Sequence, residues 1–393
     1  MSKTESLPLQ ADIVTQWADD YDKLWENAGK CFPRRDLRER ARSHVRGLLG
    51  NMKRKNGWQL AEYLGDASPA SVQHLLDRAV WDAGQLRDEV RRYAGQHLLA
   101  PDEAPIFVVD ETGFEKKGDH SAGVQRQYSG TAGRVANCQI GVFLAFVGSR
   151  GRALIDRELY LPKGWCDDPI RREAAKIPED VKFATKPKLA QQMLARALDG
   201  GLKPAWTLGD SVYGGDSKFR RFLEECEQPF VLAVTAQQRL WVGFRQKRVD
   251  AIAKDIPAEH WTRLSVGDGQ KGPRQSDWAG HSFGLPTKGG LRRWVLFRRN
   301  VENPADMAYY LCLAPPEATV RDLAMAEGGR WSVECCFEAA KQETGLDEYE
   351  VRSWHGWYRH ATLSMLALAF LAAIRSKMGE ASPAKKTTRR WFR

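Results

Sequence analysis

The chain has 393 residues, enough for two or three domains, and its 42% hydrophobic content is ordinary for a globular protein. A formal net charge of +10 favours a polyanionic partner, nucleic acid rather than a membrane. The seven cysteines are scattered and contain no CxxC pair, so they predict neither a disulfide framework nor a zinc site.

Residues 1–100 are predicted to form an all-helical domain. The N-terminus lacks the basic start and apolar core of a signal peptide, which predicts a cytoplasmic protein. The spacing of Ile13, Trp17, Tyr21 and Leu24 places four apolar side chains on one helical face. No strand-like alternation occurs in this part of the chain.

A basic segment follows within this region, with nine Lys or Arg against two acids between residues 34 and 55. A short helix is then predicted to end near Gly65, and Ser68 with Pro69 supplies an N-cap and a first-turn proline for the next helix. Two short helices across a tight turn, beside a basic helix, resemble a helix-turn-helix unit and predict DNA contact. The alternative is a helical bundle with a solvated basic face.

The PDEAP sequence at 101–105 marks a boundary, because strand patterns begin after it. Three strands, a helix, a strand, a helix and a strand are predicted in turn, at 106–110, 137–148, 152–162, 187–199, 205–210, 219–227 and 229–234. This is the element order of a ribonuclease-H-like core, so we expect an α/β fold class.

A strand-rich stretch at 236–313 is predicted to interrupt that core as an antiparallel insertion. The first part of the ribonuclease-H-like core is then 101–235 and the second part is 314–378, followed by a basic tail at 379–393. The apolar run at 361–374 is too short to span a bilayer comfortably, so we expect a buried helix there and no membrane partner.

Two aspartates end predicted strands, Asp110 after the first and Asp210 after the fourth. Functional sites of α/β sheets usually lie at the carboxyl ends of the strands. Two such acids, with a third on a helix crossing the same edge, can hold two divalent metal ions for in-line phosphoryl transfer. Mg²⁺ suits a site of oxygen ligands. The alternative is that each aspartate only caps a turn or a helix.

The third acid is predicted on a helix at 328–345, GGRWSVECCFEAAKQETG. At 100° per residue, Arg330, Glu334 and Lys341 form one stripe beside the apolar face. That arrangement suits a metal ligand flanked by two phosphate-binding cations. The alternative is a surface ion pair between Arg330 and Glu334, worth a few tenths of a kcal/mol.

These motifs together resemble a DDE transposase of bacterial insertion sequences, in the cut-and-paste group with a β-strand insertion domain. The matching stretches are VVDETGFEKKG with RQYSGTAGRVANCQIGVFLAF, TLGDSVYG, and RWSVECCFEAAKQETG, and the resemblance extends from about residue 10 to 375. In that group the last helix carries tyrosine, arginine, glutamate and lysine at fixed spacing. Arg330, Glu334 and Lys341 match this signature, whereas Glu327 stands at the tyrosine position.

The resemblance implies the activity and its partners. Asp110, Asp210 and Glu334 would be catalytic and would bind two Mg²⁺ ions, for which Mn²⁺ can substitute. Arg330 and Lys341 would hold DNA phosphate. The partner would be double-stranded DNA, as terminal inverted repeats and as target DNA, bound by a homodimer in the bacterial cytoplasm at the nucleoid.

Some members of the group cut the second strand through a DNA hairpin, in which a flipped base stacks on a tryptophan. The insertion offers four candidates for such stacking, and tryptophan in a β-rich segment is otherwise a core residue: Trp241, Trp261, Trp278 and Trp294.

Three further cations, Lys116, Lys117 and Arg126, flank Asp110 on a predicted hairpin and could contact phosphate near the cleavage point. The alternative is that they are solvated loop residues. Tyr213 is expected to pack against the site. Two other functions remain open: a transposase-derived regulator or architectural protein that binds DNA without cutting, and a nuclease on the same fold.

Overall fold

The computed structural model describes residues 11–242, 244–269 and 272–381. Five helices come first: α1 Ala11–Ala28, α2 Arg35–Leu49, α3 Gly57–Leu64, α4 Ala70–Gln73 and α5 Ala83–His97. The Asn56 side chain caps α3 by accepting a hydrogen bond from the Gln59 amide at 3.0 Å. Gly65, in the left-handed conformation at φ 77°, ends α3 as predicted.

Some of the arginines at and along the basic helix α2 form ion pairs. The pairs are Arg34–Asp36, Arg35–Glu39, Arg40–Asp66 and Arg42–Asp22. Arg38 and Arg46 are exposed on the same helix. DNA contact by this region therefore stays a prediction.

The first part of the sheet contains six strands: β1 Ile106–Glu115, β2 Gln125–Ser129, β3 Arg134–Val147, β4 Arg152–Tyr160, β5 Trp206–Gly209 and β6 Phe230–Val234. Five of them lie in the order β4, β3, β1, β5, β6, and β2 pairs with the beginning of β3. β1, β5 and β6 are parallel to one another, and β3 is antiparallel to β1.

The helices that connect these strands are α6 Lys163–Cys166, α7 Pro169–Ala174, α8 Lys186–Asp199, α9 Ser211–Gly214 and α10 Ser217–Glu225. α8 leads into β5, while α9 and α10 lie between β5 and β6. The predicted alternation of helix and strand in this part of the chain is thus observed.

Next come β7 Arg239–Val242, β8 Arg245–Arg248, α11 Val249–Lys254, β9 Thr262–Gly269, β10 Gly272–Phe283, β11 Arg292–Asn300 and β12 Met307–Ala314. β12 pairs antiparallel with β6, so β12, β11, β10 and β9 extend the first six strands into one ten-stranded mixed sheet. β7 and β8 form a separate hairpin.

Three helices complete the described chain: α12 Val320–Gly328, α13 Ser332–Thr344 and α14 Trp354–Ala381. The prediction of one helix over 328–345 is wrong at its start, because a 3₁₀ turn at Gly329–Trp331 separates α12 from α13. Gly328 lies against β9, where an added Cβ would approach the Val266 carbonyl oxygen at 2.4 Å. This close contact with the sheet explains why residue 328 is glycine.

The apolar run at 361–374 lies inside α14 and is almost wholly buried, as predicted. The helix extends beyond the run, so Trp354–Gly379 is long and apolar enough to cross a membrane, yet 67% of its most apolar window is buried in the protein. This burial is typical of a core helix. Residues 382–393 of the predicted basic tail lie outside the described residues.

Candidate active site

The two aspartates lie on neighbouring strands in matching positions. β1 and β5 are parallel, and Val109 pairs with Gly209, the residues immediately before Asp110 and Asp210. β5 ends at Gly209, so from Asp110 onward β1 has no strand on that side. The two carboxylates therefore meet at the point where the sheet opens.

Asp110 does not end its strand, contrary to the prediction. β1 continues to Glu115 because β3 pairs with all ten of its residues, from Ile106 opposite Val147 to Glu115 opposite Cys138. The second half of β1 carries polar residues and glycine, so no apolar pattern marks it. Asp110 thus stands in the middle of a paired strand, a more rigid setting than a loop.

Asp210 also acts as a helix cap. One of its carboxylate oxygens accepts a hydrogen bond from the Val212 amide at 2.9 Å, at the start of α9. An oxygen of Asp110 accepts from the Glu111 amide at 2.8 Å. The capping alternative is therefore present in the structure, and it fixes the two carboxylates in place beside each other.

The aspartates have perturbed acidities. Burial, and then the neighbouring Asp210, raise the pKa of Asp110 to about 7. Burial, and then Glu111, raise the pKa of Asp210. Arg330 lowers the pKa of both aspartates, but less strongly. The site therefore holds more negative charge than its own cations balance, a pattern that marks functional sites.

Arg330 links the two aspartates to the third predicted acid. It lies in the 3₁₀ turn before α13, with a guanidinium nitrogen 3.9 Å from a Glu334 carboxylate oxygen. On its other side Glu327 approaches to 4.0 Å. The sequence predicted that Arg330, Glu334 and Lys341 share one stripe of a single helix. Arg330 instead precedes α13, and the 3₁₀ turn places it between Glu327 and Glu334.

Glu327 occupies the position where the resemblance expects tyrosine, and the structure gives it a defined partner. Its carboxylate is buried and accepts a hydrogen bond from the Tyr310 hydroxyl at 3.1 Å. Tyr310 comes from β12. A tyrosine hydroxyl thus lies near Arg330 although the chain position of the tyrosine differs.

Sequence reasoning missed Glu111 as a member of the site. Its carboxylate accepts a hydrogen bond from Tyr213 at 2.6 Å and pairs with Lys186 at 2.7 Å. Tyr213 is fully buried, so the prediction that it packs against the site is confirmed. The sequence does show that Glu111 follows Asp110 directly. Its partners Lys186 and Tyr213 lie 75 and 102 residues further along the chain, so residue spacing does not predict these contacts.

The remaining predicted cations lie at different places. The Lys341 ammonium donates to the Gly113 carbonyl on β1 at 3.3 Å, and burial lowers its pKa. The Lys116 ammonium lies 3.4 Å from the centre of the Tyr349 ring, and burial lowers its pKa to about 8. Lys116 is thus engaged within the protein, whereas Lys117 and Arg126 are exposed.

The carboxylates of the site are suitable ligands for a divalent metal ion. Asp110 and Asp210 offer hard carboxylate oxygens in a site short of positive charge, which suits Mg²⁺ or Mn²⁺. Among residues 11–242, 244–269 and 272–381, no group of three His, Cys, Asp or Glu side chains lies close enough together to bind a metal. The carboxylates of Asp110 and Asp210 are therefore suited to bind such an ion. Glu334 lies on the other side of Arg330, which it contacts at 3.9 Å.

The turn after Asp210 is tightly packed and gives a stability prediction. A Cβ at Gly214 would lie 1.9 Å from the Ala233 carbonyl oxygen. We expect Gly214→Ala to destabilise the protein by about 1–3 kcal/mol, because the backbone of α9 or β6 must move. Denaturant unfolding measures this change. Gly164→Ala, where no atom lies within 4 Å of the added Cβ, is the matched control. Equal stability of the two variants would contradict the packing.

The four tryptophans proposed for base stacking differ in exposure. Trp278 is fully buried, Trp261 and Trp294 are partly exposed, and Trp241 on β7 is 66% exposed. A buried ring cannot receive a base, so Trp278 fits the alternative, a core residue. Its place on the inner face of β10, stacked at 6.0 Å on Tyr310, explains the burial.

Comparisons with known proteins agree with this geometry. A family model described as DDE superfamily endonuclease matches residues 28–255. A curated protein of Microchaete diplosiphon, the probable transposase for insertion sequence element IS701, is 24% identical over 355 residues, covering 88% of this chain and 84% of that protein. The resemblance predicted from the motifs is confirmed.

Among solved structures, the NurA nuclease from Sulfolobus solfataricus matches 63% of this chain and 80% of its own. The TM-score is 0.27 and the sequence identity is 10%, so this match carries no information about the fold of the chain.

Proposed function

Because the chain belongs to the DDE superfamily endonucleases, we propose that it is a transposase that binds terminal inverted repeats, cleaves DNA at the element ends and joins the 3′ ends to target DNA. The observation that carries the proposal is the pair Asp110 and Asp210 on adjacent parallel strands, with Arg330 and Glu334 beside them. Acids in this arrangement suit phosphoryl transfer.

Asp110, Asp210 and Glu334 would hold the divalent ions, Mg²⁺ by preference. When bound, two such ions activate a water or a 3′ hydroxyl and stabilise the leaving oxygen. Arg330 supplies positive charge to the phosphate beside the acids, and Lys341 holds the second half of β1 in place. Glu111, fixed by Tyr213 and Lys186, orients the start of α9 relative to β1.

The strand order supports a ribonuclease-H-like core. β4, β3, β1, β5 and β6 form a sheet in which β3 is antiparallel and the last three are parallel. Residues 101–235 and 314–378 would form this core, and 236–313 the insertion. The insertion strands continue the same sheet through β12 and β6, which supports an extension of the core rather than an independent domain.

DNA contact by the N-terminal helices is proposed for the α2–α3 connection. The exposed groups there include Lys53, Arg54 and the 65% exposed Trp58. Cations beside an exposed aromatic ring suit a nucleic-acid surface. A homodimer on DNA, in the bacterial cytoplasm at the nucleoid, completes the proposal.

The β7–β8 hairpin is a second proposed DNA contact. Residues 239–248 contain no acid, Trp241 is 66% exposed, and Phe244 at the turn is fully exposed. The same hairpin carries four cations, Arg239, Arg245, Lys247 and Arg248, of which the last two pair with Asp255 and Asp250. Exposed rings within a basic hairpin suit stacking on unpaired bases of a distorted duplex.

Removing both rings should therefore weaken DNA binding. Base stacking contributes about 1–3 kcal/mol per base, so we expect the Trp241→Ala, Phe244→Ala double variant, which loses two rings, to bind nicked repeat DNA at least about thirtyfold more weakly. The salt dependence should not change, because no cation is removed. Leu285→Ala, which removes another 82% exposed apolar side chain, is the control. Equal dissociation constants for all three proteins would refute the hairpin contact.

The function is tested with purified protein, Mg²⁺ or Mn²⁺, and labelled duplexes carrying the inverted repeats that flank its gene. We expect nicking at the repeat boundary and joining of the new 3′ ends, both abolished by a chelator. Tight binding without cleavage would support a regulator or architectural protein. Cleavage that ignores the repeat and joins no strands would support a nuclease.

A further inference from the structure

Lys55, in the connection between α2 and α3, is a buried lysine that joins two helices. Its residue is only 6% exposed. The ammonium donates hydrogen bonds to the carbonyl oxygens of Leu48 and Gly50, the latter at 3.0 Å, at the end of α2. It also donates to the Glu343 carbonyl oxygen in the last turn of α13. All three N–H donors of the ammonium are therefore used.

These partners are the groups that a cation stabilises best. The last carbonyl oxygens of a helix lack partners within the helix and carry its negative dipole end. Lys55 satisfies both helix ends with one charge. Burial lowers the pKa of Lys55, while Glu348 and Glu343 oppose that effect.

The backbone around Lys55 is held as well. Its amide donates to the Glu348 carboxylate, just beyond α13. Gly345, which ends α13 in the left-handed conformation at φ 63°, leaves room for the lysine: a Cβ there would lie 2.7 Å from the Lys55 Cβ. The α2–α3 connection is therefore clamped onto the end of α13 from two sides.

The contacts of Lys55, called the clamp from here on, join the α2–α3 connection, which is proposed to bind DNA, to α13, which carries an acid of the proposed active site. One residue beyond Lys55, Asn56 caps α3, whose second residue is the exposed Trp58. At its other end, α13 carries Glu334 in its first turn. A displacement of α3 on DNA would thus reach the helix of the third acid through the contacts of Lys55.

We propose that Lys55 is a positioning residue that couples DNA engagement by the α2–α3 connection to the placement of α13 and Glu334. This inference rests on the proposed function, since it concerns the step between binding and cleavage. Lys55 itself is too buried to contact DNA. It acts through the backbone of α13.

The test compares Lys55→Met, Gly345→Ala and the unmodified full-length protein. Lys55→Met removes the ammonium and keeps an apolar stem, whereas Gly345→Ala disturbs the same contact from the α13 side. We expect both variants to bind repeat DNA within threefold of the unmodified protein. Single-turnover cleavage at saturating DNA should be at least tenfold slower. Lys203→Met, which removes an exposed lysine that is not part of the clamp, is the charge-matched control and should cleave normally.

A separate measurement does not require cleavage. Without DNA, amide hydrogen exchange at residues 343–346 should accelerate in Lys55→Met and stay unchanged in Lys203→Met. If exchange there is unaffected, the clamp is refuted whatever the activity. If binding and cleavage fall together in proportion to the folded fraction, or if both variants cleave normally, Lys55 is only structural. Failure of the unmodified protein to cleave would count against the proposed function, and the exchange result would then decide the clamp alone.

Discussion

Replacing Asp110 with asparagine is expected to abolish DNA cleavage and, at the same time, to stabilise the protein above pH 7. Asparagine keeps the shape of the side chain but removes the charge that would bind the divalent ion. We expect single-turnover cleavage to fall on the order of 10³-fold, the size of effect seen when one preorganised group at a reacting centre is lost. Binding of the repeat duplex should be unchanged or tighter.

The stability gain follows from the raised pKa of Asp110, about 7 against an ordinary value of 3.8. Between those pH values the folded protein keeps a proton that the unfolded chain has already released, so the contribution of Asp110 to stability falls as pH rises. Above the folded pKa the charged form is destabilised relative to the unfolded chain by about 4 kcal/mol. Asparagine avoids this cost.

The measurement is denaturant unfolding of both proteins at pH 4 and pH 8, in the presence of a chelator. We expect little difference at pH 4 and a clear gain for Asp110→Asn at pH 8. Asp199→Asn, an exposed aspartate at the end of α8, should change neither cleavage nor stability. A variant that loses cleavage but gains no stability at pH 8 would show that the unmodified site is not strained by its charge.

Loss of cleavage together with a gain in stability at pH 8 would distinguish a catalytic carboxylate from one that only caps the backbone. Asp110 and Asp210 both accept backbone hydrogen bonds, and an asparagine side-chain oxygen accepts them as well, so a carboxylate that served only as an exposed cap would change stability little at either pH when replaced by asparagine. A group kept at a cost in stability is expected at functional sites, where stability and activity conflict. The sign of the change at pH 8 therefore distinguishes the two interpretations of Asp110.

The adjacency of Asp110 and Asp210 could be predicted from the sequence because both follow short apolar strands, and buried parallel strands end at one sheet edge. The course of β1 beyond Asp110 could not, since its second half is paired only with β3 and carries no apolar pattern. Gly113 approaches the Ser129 hydroxyl so closely that a Cβ there would lie 2.2 Å away. Such a contact depends on the β2–β3 hairpin and leaves no local signal.

Charge counts along the chain do not show which cations are available to DNA. In the basic stretch that includes α2, Arg40 and Arg42 are paired with Asp66 and Asp22, and Lys55 is buried between two helix ends. Pairing of this kind is decided by tertiary packing. A single sequence shows how many cations are present, but not which of them reach solvent.

Asp156, on β4, gives the second large effect, on stability. Its carboxylate is fully buried and lies 3.0 Å from both Arg91 of α5 and Arg196 of α8. The Arg157 amide donates to it at 2.8 Å. One carboxylate thus joins the N-terminal helices to the sheet and to the helix that precedes β5.

Asp156→Asn is expected to lower the free energy of unfolding by about 3–5 kcal/mol, because it removes the fully buried counter-charge that Arg91, Arg157 and Arg196 share. Chemical denaturation at pH 7 measures the change. The exposed Asp119, whose side chain is 83% accessible, provides the matched control Asp119→Asn, which should stay within about 0.5 kcal/mol of the unmodified protein.

A double-mutant cycle with Arg196→Met shows whether the charges act as one network. If they do, Arg196→Met should cost less in the Asp156→Asn background than alone, since the arginine is then already unpaired. Additive costs would mean that Arg196 is stabilised mainly by Glu158, which it also contacts at 2.6 Å. A small effect of Asp156→Asn itself would mean that Arg91 reaches solvent once released. In that case the α5–β4 contact would owe its stability to apolar packing alone.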